Sequence, residues 1–140
     1  MSRIGDVRAA LATALGAIDG LRASAYEPDK VSPPQAIVGD LSIDYDQTFG
    51  SAADRCHKLD ITVRVYVPRA TDRAGQDKLD GYVSPTGASS IKAALEADKT
   101  LGGVIDDLHV PGMSGYGFYE VGGVVYMGAE FTVSVLATGV

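Results

Sequence analysis

Cys56 and His57 are the residues of this chain that first suggest covalent chemistry. A thiol beside an imidazole is a pair that nucleophilic catalysis uses, because the imidazole can take the proton of the thiol. The two residues also begin an alternating run, and neighbours in a strand point to opposite faces of a sheet. The pattern therefore favours a loop-to-strand junction, and we predict no catalytic residue and no enzymatic activity.

Groups that could hold a cation are few. His57 and His109 are the only histidines, so a zinc site would need Cys56 or carboxylates at unusual spacing. Asp44 and Asp46 fall on one face of a predicted strand, a spacing that suits a hard cation or paired acid–base work. A solvated strand face is the simpler interpretation, because exposed acids seldom mark sites. We predict no metal and no cofactor.

Glycines and aromatic residues are concentrated near the C-terminal end. The glycine-rich segment 112–117 has neither the order of a dinucleotide fingerprint nor the lysine of a phosphate loop, so it indicates a strand break or bulge. The aromatic residues around it could stack on bases, anchor a protein partner or pack across strands. A net charge of −6, from 12 Lys and Arg against 18 Asp and Glu, is the wrong sign for neutralising phosphates. A protein interface and simple cross-strand packing remain equally favoured.

A polar segment, residues 46–56, is too long for a tight hairpin and is predicted to be a mobile loop. Its one phenylalanine and the arginine near its end could order on a partner as an aromatic and charged anchor. We therefore predict that this loop docks on a partner, together with the aromatic residues of the last hairpin. The predicted partner-binding residues are Phe49, Arg55, Tyr116, Phe118 and Tyr119.

Strict alternation of apolar and polar residues predicts the strands. It runs from residue 125 to residue 135, and Gly122-Gly123 can supply the positive φ angles of a two-residue turn back to segment 116–121. A second run covers residues 59–67 and a third covers residues 36–45, bent near Gly39. The composition of residues 104–110 also indicates a strand.

Helical spacing precedes and interrupts these strands. Apolar residues from Ile4 to Ile18 recur at steps of three and four, and Asp19-Gly20 is a plausible stop. The prolines at 28, 33 and 34 predict a loop. Two short helices follow, one capped by Thr71 and one that restarts at Ile91 after the break at 84–87. The fold class predicted is α+β: a mainly antiparallel twisted sheet packed against an N-terminal helix, with two short helices inserted between the central and C-terminal strands.

Length and composition predict one domain over residues 1–140 with one core. The single cysteine and the absence of a basic segment followed by an apolar run favour maturation in a reducing cytoplasm. Asp6, Arg8 and Asp19 interrupt the first apolar run, so no membrane association is predicted. The predicted core residues are Leu59, Ile61, Val63, Val65, Phe131, Val133 and Val135, covered by a helix carrying Val7, Leu11 and Ile18.

Several stretches, together with the order of the elements, resemble a tail terminator of a long-tailed actinobacterial phage. The similarity extends over nearly the whole chain, and its motifs are structural. The segments that carry it are residues 79–85, 89–98, 101–103, 106–108, 116–117, 119–123 and the final strand.

The resemblance implies a small α+β subunit, a single tail-terminator-like domain, that forms a ring, usually of six copies, at the head-proximal end of a tail tube. Such a ring ends tube polymerisation and joins the tail to the filled head. The implied partners are other copies of the chain, the tail tube protein and a head-completion or connector protein. DNA would pass through the channel without specific binding. The implied location is the virion, and the host cytoplasm during assembly.

Two other classes of function stay open at the level of sequence. Another head–tail joining component, such as a stopper or a tail-tube-like subunit, would share a related design. A small hydrolase or ligand-binding domain would centre on Cys56, His57 or the Asp44 and Asp46 pair, and would require a deep apolar pocket with converging polar groups.

Overall fold

The computed structural model describes residues 3–26, 34–44, 56–67 and 72–138. Within these ranges, three helices pack on one face of a five-stranded sheet. The elements in chain order are α1 (Arg3–Gly16), β1 (Arg22–Ser24), β2 (Gln35–Asp44), β3 (Cys56–Val67), α2 (Asp72–Val83), α3 (Ile91–Glu96), β4 (Asp107–Val121) and β5 (Val124–Thr138).

The strand order in the sheet is β1-β2-β3-β5-β4. β1 pairs in parallel with β2, and every other pairing is antiparallel. The predicted α+β class with a mainly antiparallel sheet, an N-terminal helix and two short inserted helices is therefore confirmed. Sequence reasoning did not predict β1, because its three residues are too few to show a period of two.

α1 forms because Val7, Leu11 and Leu15 recur at four-residue steps and all three are fully buried. The helix ends at Gly16, earlier than the predicted stop at Asp19-Gly20. Glycine disfavours helix continuation, and the chain tightens into a turn in which the Ile18 amide donates to the Leu15 carbonyl at 3.1 Å. Ile18 is therefore buried as part of that turn, after the helix has ended.

The core lies between the sheet and the three helices. Every residue predicted to build it is buried, so that prediction is confirmed. Because directly paired residues share a face, the pairs Leu59–Val135, Ile61–Val133 and Val63–Phe131 form layers beneath the helices. We call this side the helix-covered face and the other side the open face.

The predicted bend in β2 is confirmed by a register shift between Val38 and Leu41. Arg8 on α1 holds this bulge, donating from its guanidinium to the carbonyls of Val38 and Gly39 at 2.9 Å each. The same group lies 5.2 Å from the ring centroid of Tyr26. A side chain from the helix thus satisfies the carbonyls that the bulge frees from the strand ladder.

The prediction of strand at Val104 and Ile105 is wrong, since both lie in the turn before β4. Asp98 organises this turn by accepting hydrogen bonds from the amides of Thr100 and Gly102 at 3.1 and 2.9 Å. A hydrogen bond from the Thr100 side chain has the largest effect in lowering the pKa of the Asp98 carboxyl, and the two amide bonds lower it further. Local side-chain bonds of this kind offer the backbone an alternative to a ladder.

The final hairpin is the terminal ribbon, made of β4 and β5. Its predicted turn is confirmed: Gly122 and Gly123 have φ values of 59° and 80°, and Val121 pairs with Val124. Of the predicted break or bulge near the glycine-rich segment, the bulge is confirmed: β4 continues through register shifts between His109 and Gly112 and between Ser114 and Gly117. We call Asp107–Met113 the base half of β4 and Gly117–Val121 its distal half.

Most of two further predictions and the whole of a third lie outside the described residues: the proline loop apart from Pro34, which is a bend before β2, the loop at 46–56 apart from Cys56, which begins β3, and the cap at Thr71.

Candidate interaction surface on the terminal ribbon

The residues that suggested covalent chemistry begin β3. Cys56 pairs with Thr138 and His57 with Ala137, in the antiparallel ladder between β3 and β5. The His57 side chain is buried on the helix-covered face, where Ala137 and Leu59 are buried too. The Cys56 side chain lies outside the described part of the structure, so the geometry of a Cys56–His57 pair is not tested.

The candidate cation ligands are separated. His57 is buried, whereas the His109 side chain is 60% exposed on β4. The side chains of Asp44 and Asp46 lie outside the described residues. Among the side chains that are described, no group of three or more His, Cys, Asp and Glu residues lies close enough to hold a metal ion.

A groove of about 550 Å³ lies between α1 and the end of α3. Alanines line most of it, and the carboxylate at its margin, Asp98, already accepts hydrogen bonds from its own turn. A ligand site combines apolar walls with a few polar groups that converge on one point. Both walls of this groove are rich in alanine, and its two described polar side chains, Thr13 and Asp98, already bond to the main chain of their own helix and turn. The lining residues include Ala10, Ala14, Ala17, Ala94 and Ala97.

The base half of β4 is fastened to α3. Val110 donates its amide proton to Glu96 Oε2 at 2.9 Å and accepts from Lys92 Nζ at 3.1 Å. Lys92 and Glu96 also pair with each other at 2.6 Å. The bond from Lys92, followed by the Val110 amide, holds the pKa of the Glu96 carboxyl below its usual value. Pro111, the next residue, has no amide proton to offer. α3 therefore covers the edge of the sheet at this point.

At the second bulge, two tyrosines leave the strand on opposite sides. Tyr116 reaches α2 on the helix side and donates from its hydroxyl to Asp80 Oδ1 at 2.7 Å. This bond, with a smaller effect of burial, raises the pKa of Tyr116 to about 12. Tyr119 turns the other way and donates its hydroxyl to the Gly115 carbonyl. Gly115 has a φ of 66°, a conformation that suits glycine at a bulge.

Tyr119 belongs to an aromatic cluster on the open face. The ring centroids of Tyr119 and Tyr66 are 5.7 Å apart in an edge-to-face arrangement, and those of Tyr126 and Tyr66 are 6.1 Å apart. The cluster also covers Ile37. Gly128 lies beneath it, and a Cβ there would lie 2.6 Å from the Val65 carbonyl oxygen. The rings pack down onto the strand because this position has no side chain.

The predicted partner-binding residues are thus divided by the sheet. Tyr119 packs on the open face with Tyr66 and Tyr126, as the cross-strand alternative supposed. Tyr116 and Phe118 lie on the helix-covered side and are 40% and 56% exposed. Phe49 and Arg55 lie outside the described residues.

The exposed side of the distal half combines apolar and acidic residues. Phe118 pairs with Met127 and Glu120 with Val125, so all four share the helix-covered side. Val125, expected in the buried stripe of β5, is 37% exposed because the described helices do not reach this end of the ribbon. Asp77 and Asp80 of α2 border Tyr116. We call this surface the acidic ledge; its residues are Tyr116, Phe118, Val125, Asp77, Asp80 and Glu120.

Comparisons with protein-family models and with curated protein sequences find no match for this chain. Among the helices in the described ranges, none is both long and apolar enough to cross a membrane.

The sequence did not predict the hydrogen bonds that hold the base half of β4 to α3, nor the division of the aromatic residues between the two faces of the sheet. The Lys92 and Glu96 spacing of four is visible as a helical ion pair, but its contact with Val110 depends on the bulge register. The spacing of the aromatic residues did indicate their division between two faces. Tyr116 and Phe118 are two residues apart and so share a face of the strand, whereas Tyr119 falls on the opposite face.

Proposed function

We propose that this protein is a structural subunit that assembles into a closed ring, usually of six copies, at the head-proximal end of a phage tail tube. In this role it ends tube polymerisation and joins the tail to the head. The observation that carries the proposal is the exposed apolar surface around the distal half of the ribbon. Exposed aromatic residues in such a position are typical of protein interfaces.

The shape of the sheet supports a ring. A closed ring above two copies uses a heterologous contact, in which two different surfaces of the subunit meet. Among the described strands, the two sheet edges are unlike each other: β1 has three residues and β4 has fifteen. Two dissimilar edges favour head-to-tail contacts over a twofold pairing of one edge with itself.

The charge distribution supports a subunit that DNA passes without sticking. No lysine or arginine occurs after Lys99, while Asp106, Asp107, Glu120 and Glu130 all lie in that part of the chain. Cationic walls would bind phosphate strongly, and an acidic ring would not. On this proposal the other partners are the tail tube protein and a head-completion or connector protein, and the protein ends in the virion.

Light scattering coupled to size exclusion tests the proposal, followed by electron microscopy of the protein mixed with tail tubes. We expect one closed oligomer of defined mass that caps one end of each tube. An open-ended polymer would indicate a tail-tube-like subunit instead. A protein that stays monomeric at high concentration and leaves tube ends bare would refute the assembly role.

A substitution on the ledge sharpens that test. Phe118→Ser should leave the monomer folded and reduce ring formation or tube capping. Leu136→Ser is the matched control, because Leu136 is also partly exposed on the ribbon, at 36%, but on the open face. Equal loss in both variants would assign the effect to reduced stability and not to the ledge.

A further inference from the structure

We infer that the acidic ledge binds an arginine- or lysine-bearing segment of a partner protein. The inference deepens the proposed function and rests on it only in taking the ribbon as an assembly surface. It adds the chemistry of the partner and the residues that recognise it.

The first observation is the contrast along β4. In the base half, the Val110 main chain is covered by Lys92 and Glu96, and Pro111 offers no amide proton. Natural sheet edges are protected in such ways, and an exposed lysine is another common device. On the helix-covered side of the distal half lie Phe118 and Glu120, flanked by Tyr116 at the bulge and Val125 on β5, and all four are exposed. This part of the edge has the character of a contact surface.

The second observation is the sign of the charges around those apolar side chains. The three acidic residues of the ledge, Asp77, Asp80 and Glu120, are exposed. β4 and β5 contain no lysine or arginine, so among the described side chains of α2 and the ribbon only Lys78, next to Asp77, offsets these three acids. An interface places opposite charges across from one another, and like charges brought together cost several kcal/mol. The partner is therefore cationic.

The third observation is that the aromatic faces suit the same cation. Exposed tyrosine and phenylalanine rings attract a guanidinium or an ammonium through their π-systems. Tyr116 is held in place by its hydrogen bond to Asp80. An arginine that stacks on Tyr116 or Phe118 would lie within reach of a neighbouring carboxylate. Apolar and cationic residues in alternation would therefore fit this surface.

A direct test uses a fluorescein-labelled peptide of alternating valine and arginine, measured by fluorescence polarisation against the full chain. We expect binding that weakens at high salt, because exposed charges are screened. Asp77→Lys combined with Glu120→Lys should weaken binding about tenfold or more, since the rim charges become repulsive. Phe118→Ser should also weaken it, with an unchanged dependence on salt.

Two matched controls separate recognition from general attraction to an acidic protein. Asp19→Lys makes the same type of charge change in the exposed turn after α1, and it should leave binding within about twofold once the net charge is allowed for. A peptide with glutamate in place of arginine should not bind. Equal weakening by Asp19→Lys, binding of the glutamate peptide, or no binding of the arginine peptide at millimolar concentration would each overturn the inference.

The oligomeric state distinguishes this inference from the proposed ring. If wild type is monomeric and leaves tube ends bare but binds the arginine peptide, the inference holds and the ring proposal fails. If wild type forms a ring that Asp77→Lys with Glu120→Lys disperses, and the arginine peptide does not bind, the ledge contacts a second copy. That result would overturn the inference and leave the ring standing.

Discussion

The two halves of β4 differ in how the molecule holds them. The base half is tied to α3 by two main-chain bonds at Val110, and its Leu108 and Val110 side chains are buried. Beside the distal half, Tyr116 at the bulge donates its hydroxyl to Asp80 of α2, and the side chains of the distal half on the helix-covered side remain exposed. The same strand therefore serves as part of the core at one end and as an available surface at the other. Local stability is expected to fall along it.

The largest expected effect compares two phenylalanines of the ribbon. Phe131 is 2% exposed, so Phe131→Ala should lower the free energy of unfolding by about 3–5 kcal/mol, the cost of a large truncation in a core. Phe118 is 56% exposed, and Phe118→Ala should cost below about 1 kcal/mol. Denaturant titration of both variants measures the difference. Equal costs would show that the two ends of the ribbon are equally part of the core.

The next effect concerns the glycine beneath the tyrosine cluster. Gly128→Ala should lower the free energy of unfolding by about 1–3 kcal/mol, because its Cβ would lie 2.6 Å from the Val65 carbonyl oxygen, which is main chain and cannot rotate away. Gly112→Ala is the control, since a Cβ at that position has no neighbour within 4 Å. It should change stability by less than about 0.5 kcal/mol. Thermal melting of the two variants distinguishes them.

A smaller effect is expected at the fastening of the base half. Glu96→Gln should lower the free energy of unfolding at neutral pH by about 1–2 kcal/mol, because it removes a charged acceptor from Lys92 and Val110. Glu120→Gln, an exposed carboxylate of the distal half, should change it by less than about 0.5 kcal/mol. A larger loss at Glu120 than at Glu96 would reverse the comparison.

The dependence on pH gives a second measurement for Glu96. Its pKa is lowered in the folded state, so the stability it contributes is present above the unfolded carboxyl pKa of about 4.3 and is lost as the pH falls through the folded value. The difference between wild type and Glu96→Gln should therefore narrow under acid conditions. A difference that stays constant from neutral to acid pH would contradict the assigned role.

The smallest expected effect on stability lies at the Tyr116 tether, where Tyr116→Phe should cost below about 1 kcal/mol because the bond is exposed. Its sharper signature is titration, followed by NMR of isotope-labelled tyrosine. The pKa of Tyr116, about 12 in the folded protein, should fall towards the ordinary value in Asp80→Asn and fall less in Asp77→Asn. Because folding raises this pKa, the stabilisation is present below about pH 10 and is lost as the pH rises towards the folded value.

Periodicity alone predicted the parts of the fold that bury one continuous face. The four-residue steps of α1 and the alternation of β3 and β5 identified the core, because burial selects the side chain at each of those positions. β1 escaped prediction because it is held by pairing with β2 and has no pattern of its own. Helix α1 was predicted to extend past its observed end, because Ile18 is buried in a turn that preserves the helical spacing.

The candidate surface was predicted in part. The aromatic residues of the ribbon were identified, but their division between two faces was not, although the parity of positions 116, 118 and 119 carried it. The contact of Glu96 with Val110 could not be read from spacing, because a bulge changes which main-chain groups face outward. Contacts that depend on register between distant segments require the structure.

The position of β5 has a consequence for how the protein is made. β5 follows every other described strand along the chain, yet it lies between β3 and β4 and pairs with both. While the ribosome is still adding it, β3 lacks its neighbour on one side and its apolar residues have no layer to complete. The sheet can close only after synthesis has passed Thr138. Since the pairings of β3 join residues as distant as Cys56 and Thr138, that closure should also be slow compared with helix formation.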